Sequence, residues 1–207
     1  MTNVKEALAE IRKDKERKFD QSVDLLINLR SVDIKRNGVN VVVDVPHPAK
    51  KLKVAGFLTK KSELVDSILE PDFIKYRDSK KLKELEGKYD FFISVAPLMP
   101  KVATTFGKVL GPVGKMPSPQ LGILVQEDDK AIQAVLDKIA KSVKIRAKEP
   151  SIKLSVGKLS MSDGDIEDNI KAIYKAVVGT LPMKEENLKS VMVKATMSKP
   201  IKVEVTK

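Results

Sequence analysis

The chain changes rhythm twice, and those two changes constrain its fold more than any single motif. Near the start, Val23, Leu25, Ile27 and Leu29 alternate with other residues, and so do Val39, Val41, Val43 and Val45. A period of two turns one side of a strand inward and the other outward. The end of the chain is written in the same way. Residues 151–156, 190–195 and 201–205 read as strands, and 163–178 reads as a helix with Ile166, Ile170, Ile173, Tyr174 and Val177 on one face. Between these ends the pattern becomes strand–helix alternation. A short apolar strand at 53–58 precedes a helix capped by Ser62 and carrying Leu64, Val65, Ile68 and Leu69. Then follow a strand at 73–76, a helix at 80–88 and a strong strand at 90–96. A helix opened by Pro100 ends near Gly111, and the acids 127–129 open another with Ala131, Ile132, Val135, Leu136 and Ile139 apolar. Such alternation implies a parallel sheet covered by helices.

The expected fold is therefore a split α+β domain built from both chain ends, with an antiparallel-rich sheet, plus an inserted Rossmann-like three-layer α/β domain. The expected boundaries are 1–54 with 148–207 for the first domain and 55–147 for the second. Both early strands are expected in one sheet with the strands of the chain's end, and the two crossings would let the domains hinge. A first helix carries Val4, Ala7, Leu8 and Ile11, opened by a capping box of Asn3 and Glu6. Arg36-Asn37-Gly38 signals a turn.

Composition then narrows the chemistry. There is no cysteine and one histidine, His47, so thiol nucleophiles, thiolate metal sites and sites needing two imidazoles of one chain are excluded. His47 sits between two prolines and reads as a loop residue. The longest apolar stretch, Phe91 to Met99, is too short to span a bilayer, and the first ten residues lack a signal-peptide apolar region. A soluble cytoplasmic protein without membrane contact is expected. Net charge is +11, from 39 Lys+Arg against 28 Asp+Glu. The charge is segregated: 91–126 and 187–203 contain no acid, and 141–158 carries six cations interrupted only by Glu149. That suits a polyanion-binding face. The competing reading is a solvated lysine-rich surface of the kind thermophiles carry. The acids Asp163, Asp165, Glu167 and Asp168 lie at a helix start and read as capping, with no calcium-loop pattern.

The stretch 107–122 is rich in Gly, Lys and Pro. Lys108 and Lys115 on a loop stiffened by proline and folded by Gly111 and Gly114 suit a phosphate backbone; a plain helix-to-strand connection is the alternative. It is not a Walker loop, since Met116 follows Gly114-Lys115 and Val109 stands where the first glycine is required. Phe19, in Lys18-Phe19-Asp20, would pack on a ribose or base, or else staple the core. Thr196-Met197-Ser198 would offer hydroxyls to RNA, or else form a simple β-turn.

These pieces, in this order, resemble the ribosomal protein L-one family. The carriers are Gly107-Lys108-Val109-Leu110-Gly111-Pro112-x-Gly114-x-Met116-Pro117-x-Pro119, Lys18-Phe19-Asp20-x-Ser22-Val23-Asp24, Val156-Gly157-Lys158 and Ala195-Thr196-Met197. The short lysine-rich form without an N-terminal extension looks archaeal. The resemblance implies a large-subunit protein of the mobile stalk by the tRNA exit site. It implies binding to folded rRNA and to the chain's own mRNA with repression of its translation, and exit-site tRNA as a partner through the stalk. Carried over by motif, the RNA contacts are Phe19, Ser22, Asp24, Lys158, Thr196, Met197 and Ser198, beside Lys18. The family commonly has Thr at 22, whose hydroxyl Ser22 keeps, and Gly at 198; a Cβ at 198 would either forbid the φ a glycine uses or crowd the RNA backbone. A non-enzymatic monomer needing no cofactor and no metal is expected. A nucleotide-dependent transferase with a Rossmann-like domain is the enzymatic rival, and a protein-binding scaffold is a third reading.

Overall fold

A computed structural model describes residues 2–13, 17–32, 39–48, 52–76, 78–119, 121–147 and 149–205. In chain order the elements are β1 (Thr2–Asn3), α1 (Val4–Arg12), β2 (Ser22–Leu29), β3 (Asn40–Asp44), β4 (Val54–Leu58) and β5 (Asp66–Leu69). There follow α2 (Ser79–Lys88), β6 (Phe91–Val95), α3 (Met99–Val113), β7 (Ile123–Leu124) and α4 (Asp129–Lys141). The chain ends with β8 (Ser142–Arg146), β9 (Ser151–Lys158), α5 (Asp163–Thr180), β10 (Leu188–Ala195) and β11 (Ile201–Glu204). Two compact units result, 1–50 with 141–207 and, inserted, 51–140. The predicted turn at 36–38 lies outside the described residues.

In the split unit a five-stranded sheet has the order β1-β11-β10-β2-β9. All its ladders are antiparallel except β1 with β11. Val23, Leu25, Ile27 and Leu29 point to one face, where they are buried with Val4, Leu8 and Ile11 of α1 and Ile166, Ile170 and Ile173 of α5. Each such side chain contributes roughly 1.5–3 kcal/mol by leaving water. The Glu6 carboxylate accepts from the Asn3 N–H at 3.3 Å, which fixes the start of α1.

Strand β3 departs from expectation. It does not join the large sheet but pairs antiparallel with β8, from Asn40 opposite Arg146 to Asp44 opposite Ser142. A period of two says which side of a strand is buried, not which strand lies beside it. Strand β8 was not legible, because its two core residues, Val143 and Ile145, are set among Lys144 and Arg146. This pairing also moves the second boundary from 147/148 to 140/141, since β8 contributes Ile145 to the split unit's core. The first boundary falls at 50/51 rather than 54/55.

The inserted unit holds a parallel sheet of order β5-β4-β6-β7. Phe57 and Phe92 of its strands pack with Phe73 and Phe106 on one face, Phe57 and Phe106 having ring centroids 4.7 Å apart. Leu58 and Ile93, next along the same strands, are equally buried, so both faces are covered. Two expected elements are exchanged. Residues 66–69 form a strand, not a helix, and 70–76 form a 3-10 helix, not a strand. A short apolar run suits either conformation; here β5 finds an edge to pair with, Ile68 opposite Phe57. Ser62 still works locally, its Oγ accepting from the Leu64 N–H at 3.3 Å.

Candidate nucleic-acid interface

At one end of the five-stranded sheet, the turn after β10 closes onto the chain entering β2. The Thr196 N–H donates to the Ser22 carbonyl at 3.0 Å. The Ser22 N–H donates to Thr196 Oγ1 at 3.2 Å, and the Met197 N–H donates to Gln21 Oε1 at 3.2 Å. Within the turn, Ser198 Oγ accepts from the Ala195 N–H at 2.7 Å. With its polar groups tied internally, the turn holds Met197 outward at 59% exposure, and the segment before β2 holds Phe19 outward at 54%. Phe19 is therefore not a core staple. Ser198 lies outside the left-handed region, which Ser31 and Lys184 are the only non-glycine residues to enter among the described residues, so a side chain fits there without backbone strain.

The third segment at this end is the close of β9. Lys158 sits opposite Ser22 in the ladder, and its Nζ lies 3.6 Å from the Asp20 carboxylate. Asp20 accepts from the Ser160 hydroxyl at 2.9 Å and the Ser160 N–H at 3.2 Å. The Ser160 hydroxyl, aided by the Lys158 charge, holds the Asp20 carboxyl below the usual range. Arg12 pins the same loop, donating to the carbonyls of Leu159 at 2.7 Å and Met161 at 2.8 Å and pairing with Asp163. Lys18 is exposed beside Phe19. Asp24 lies two residues beyond Ser22, between Lys194 and Ser155 of the neighbouring strands. Burial pushes its carboxyl up, against the pull of Lys194.

Residues 18–24, 158 and 196–198, from three separate stretches of the chain, thus share one end of one sheet. They present a preset backbone, two exposed apolar side chains, the two cations Lys18 and Lys158 and the two carboxylates Asp20 and Asp24. The hydroxyls of Thr196 and Ser198 are used largely to build this surface; each keeps one lone pair for a ligand. Sequence reading missed its supports: Gln21, Arg12 and the buried Asn169. The signal for Asn169 was a lone amide on the apolar face of a helix.

Residues 108–115 belong to the inserted unit. Lys108 is not on a loop, as expected, but exposed on α3, which runs past Gly111 and Pro112 to Val113. Lys115 is turned inward, correcting the expectation of a phosphate contact. Its Nζ donates to the carbonyls of Glu86 at 2.7 Å and Tyr89 at 3.0 Å and pairs with the Glu86 carboxylate at 3.0 Å. A cation there satisfies the last carbonyls of α2. Gly114, with φ of 82°, ends α3 in the left-handed conformation. At Gly111 a Cβ would meet nothing within 4 Å.

The strand order of the inserted unit reverses between β4 and β6, where doubly wound sheets bind ligands beyond the strand ends. Just after β4, the N–H groups of Thr59 and Lys60 both donate to Glu127 Oε1, at 2.8 and 2.9 Å, and the Thr59 hydroxyl donates to Oε2. Partial burial pushes this carboxyl up, but the hydrogen bonds from Lys60 and Thr59 outweigh it and hold it below the usual range. An internal carboxylate thus occupies the amides a phosphate would need. Among the described residues no cluster of His, Asp and Glu could hold a metal ion, and no helix is long and apolar enough to cross a membrane.

A split α+β domain whose sheet end is built from three distant segments, and an inserted α/β domain in which Glu127 takes the Thr59 and Lys60 amides, define a two-domain α/β protein. The comparisons make the class specific. The model of the ribosomal protein L1p/L10e family matches residues 11–199. The large ribosomal subunit protein uL1 of Pyrococcus abyssi is 36% identical over 211 residues, covering 97% of this chain and 93% of the relative. The proteins of the same name from Thermofilum pendens and Methanocorpusculum labreanum are each 35% identical, covering 97% and 94% of this chain and 90% and 94% of theirs. The chain belongs to the ribosomal protein L1p/L10e family; it is a ribosomal protein of the archaeal type and not an enzyme.

Proposed function

We propose that this protein is a component of the large ribosomal subunit in the cytoplasm and binds a folded site on large-subunit rRNA through the sheet end of its split unit. The observation that carries this reading is the convergence of 18–24, 158 and 196–198 on one rigid surface. Phe19 and Met197 would pack on riboses and bases, while Lys18 and Lys158 neutralise phosphates. Asp24 would accept from ribose 2′-hydroxyls, as only RNA presents them. The inserted unit, through Lys108, adds or modulates contacts. By the same surface the protein binds a similar fold in its own mRNA and represses translation, and as part of the stalk it attends exit-site tRNA. Free in solution it is a monomer. The domain boundaries, two units joined at 50/51 and 140/141, make these two functional parts.

The test is to crosslink the protein in cells and sequence the bound RNA. The reading requires large-subunit rRNA and the leader of the protein's own message to dominate. In vitro, Thr196→Ala or Met197→Ala should weaken binding to a transcribed stalk fragment far more than Lys175→Ala on the exposed side of α5. Equal effects refute the site. The transferase reading requires nucleotide binding, which Glu127 opposes; calorimetric titration with adenine nucleotides should show none.

A further inference from the structure

The residue that the motif of 18–24 skips is the one set most deeply in the sheet end. Gln21 is 8% exposed, whereas Phe19 and Asp20 just before it are exposed. Its carbonyl accepts from the Leu159 N–H at 2.9 Å, and its side-chain Oε1 accepts from the Met197 N–H at 3.2 Å. Gln21 therefore ties its own segment to both of the others that meet there. The Met197 bond also fixes which way the amide faces. A backbone N–H is met by the amide oxygen, so Oε1 turns toward Met197 and Nε2 turns away from it.

Nε2 carries two protons and donates to no protein group among the described residues. No buried side-chain nitrogen or oxygen among those residues lacks a partner, so the Nε2 end is the part of Gln21 that reaches the surface. It does so between the segment that carries Phe19 and the turn that carries Met197. A donor set this deep is poorly served by water and gains from a fixed acceptor. Around it, Asp20 and Asp24 are acceptors, and Lys18 and Lys158 offer charge. The Thr196 hydroxyl is bonded to Ser22 and the Ser198 hydroxyl to Ala195. Gln21 thus supplies an uncharged, directional donor that the fold itself does not use.

We propose that Gln21 is a further RNA-binding residue of the sheet end, whose Nε2 donates to an acceptor on the base edge of a nucleotide packed against Phe19 and Met197. The proposal rests on the RNA-binding reading above. Phe19 and Met197 take the apolar faces of the nucleotide, and the amide below them reads its edge. With Oε1 spent on Met197, Gln21 cannot make the bidentate adenine contact open to a free amide. It favours a carbonyl of guanine or uracil over an exocyclic amino group, which would set donor against donor. Gln21 carries no charge, so it adds base readout and not salt-dependent affinity.

The test titrates the whole protein with a transcribed stalk fragment of large-subunit rRNA and uses two variants. Gln21→Glu keeps the shape: one carboxylate oxygen still accepts from the Met197 N–H, and the other replaces the donor. Gln21→Met removes both bonds and changes no charge. At about pH 8, Gln21→Met should bind about 3–10-fold more weakly than wild type, with an unchanged slope of log affinity against log salt. Gln21→Glu should bind about 30-fold more weakly, and much of that loss should persist at about 0.5 M salt, where through-space charge effects fade. Toward about pH 5 the introduced carboxyl takes up a proton and donates through its O–H, so its deficit should shrink to about threefold. Wild type measured at both pH values removes the contributions of Asp20, Asp24, Lys18 and Lys158, which share this surface. The pH comparison is made within one variant, so it decides the proposal even if Gln21→Met melts early. A residue that only positions the turn predicts the reverse: Gln21→Glu, which keeps the Met197 bond, binds like wild type at both pH values. That result, or a Gln21→Glu deficit that does not change with pH, overturns the proposal and leaves the sheet-end site standing where Met197→Ala still weakens binding. If wild type itself does not prefer the stalk fragment to an unrelated hairpin, the RNA reading and the Gln21 contact fall together.

Discussion

Asn169 is the residue on which the split unit's stability should most visibly turn. It is 1% exposed on the apolar face of α5. Its Nδ2 donates to the carbonyl of Val156 at 2.9 Å and of His47 at 2.6 Å, and its Oδ1 accepts from the His47 N–H at 3.0 Å. Val156 needs this partner because of a bulge: Val23 pairs with Gly157 and Asp24 with Ser155, which leaves Val156 unpaired with β2. Asn169→Leu keeps the volume and removes all three bonds. The buried Val156 carbonyl would cost about 2 kcal/mol left unpaired, and the two half-buried groups of His47 roughly 0.5 kcal/mol each. The sum is about 3 kcal/mol. With a urea dependence of about 1.5 kcal/mol/M, the midpoint of the split unit should fall by about 2 M. Hydrogen exchange during urea unfolding, read separately in the two units, measures it. Exchange in β9 should accelerate while β4 and β6 stay unchanged. A midpoint shift below about 0.5 M, or equal acceleration in both units, would refute the reasoning.

Three further outcomes are expected. Gly122→Ala should destabilise the inserted unit by about 2–4 kcal/mol, because φ is +111° and a Cβ would lie 2.9 Å from the Phe92 carbonyl oxygen; calorimetry of the whole chain reads it. Lys115→Met should lower the melting temperature of the inserted unit, by removing the group that satisfies the end of α2, whereas Lys108→Ala should leave stability unchanged and lower only the salt slope of RNA binding. Acid should unfold the split unit partly through Glu167, whose carboxyl is held below its usual range first by the Lys171 hydrogen bond and then by the charges of Lys171 and Lys5. Its folded value lies below its unfolded one, so its contribution is complete above the ordinary glutamate pKa and is lost as pH falls through the lower folded value. Glu167→Gln should flatten the pH dependence of stability in that acid window, and an unchanged profile would count against the assignment.

Some of the interface was legible and some was not, for definite reasons. Phe19, Ser22, Lys158 and Met197 were marked by family motifs, but whether Phe19 faced core or solvent depended on what lay opposite it. Lys115 sat in a motif and next to a glycine, which is how phosphate-binding lysines look; only the fold showed that the end of α2 occupies its reach. Glu127 opened an acidic triplet and read as helix capping. Its bond partners, Thr59 and Lys60, are almost seventy positions away, and no local pattern links them.

By itself the sequence determined the alternation of buried and outward residues in β2, β9 and β10, the amphipathic faces of α1, α4 and α5, and the change of rhythm that makes the middle an insertion. All are local periodicities, fixed by strand and helix geometry and the transfer of apolar groups from water. The tertiary structure alone decided that β3 pairs with β8, that 66–69 is a strand, and that three distant segments meet at one sheet end. Those outcomes depend on which partner surface is available across space, and the energy of a pairing is not written in either strand alone.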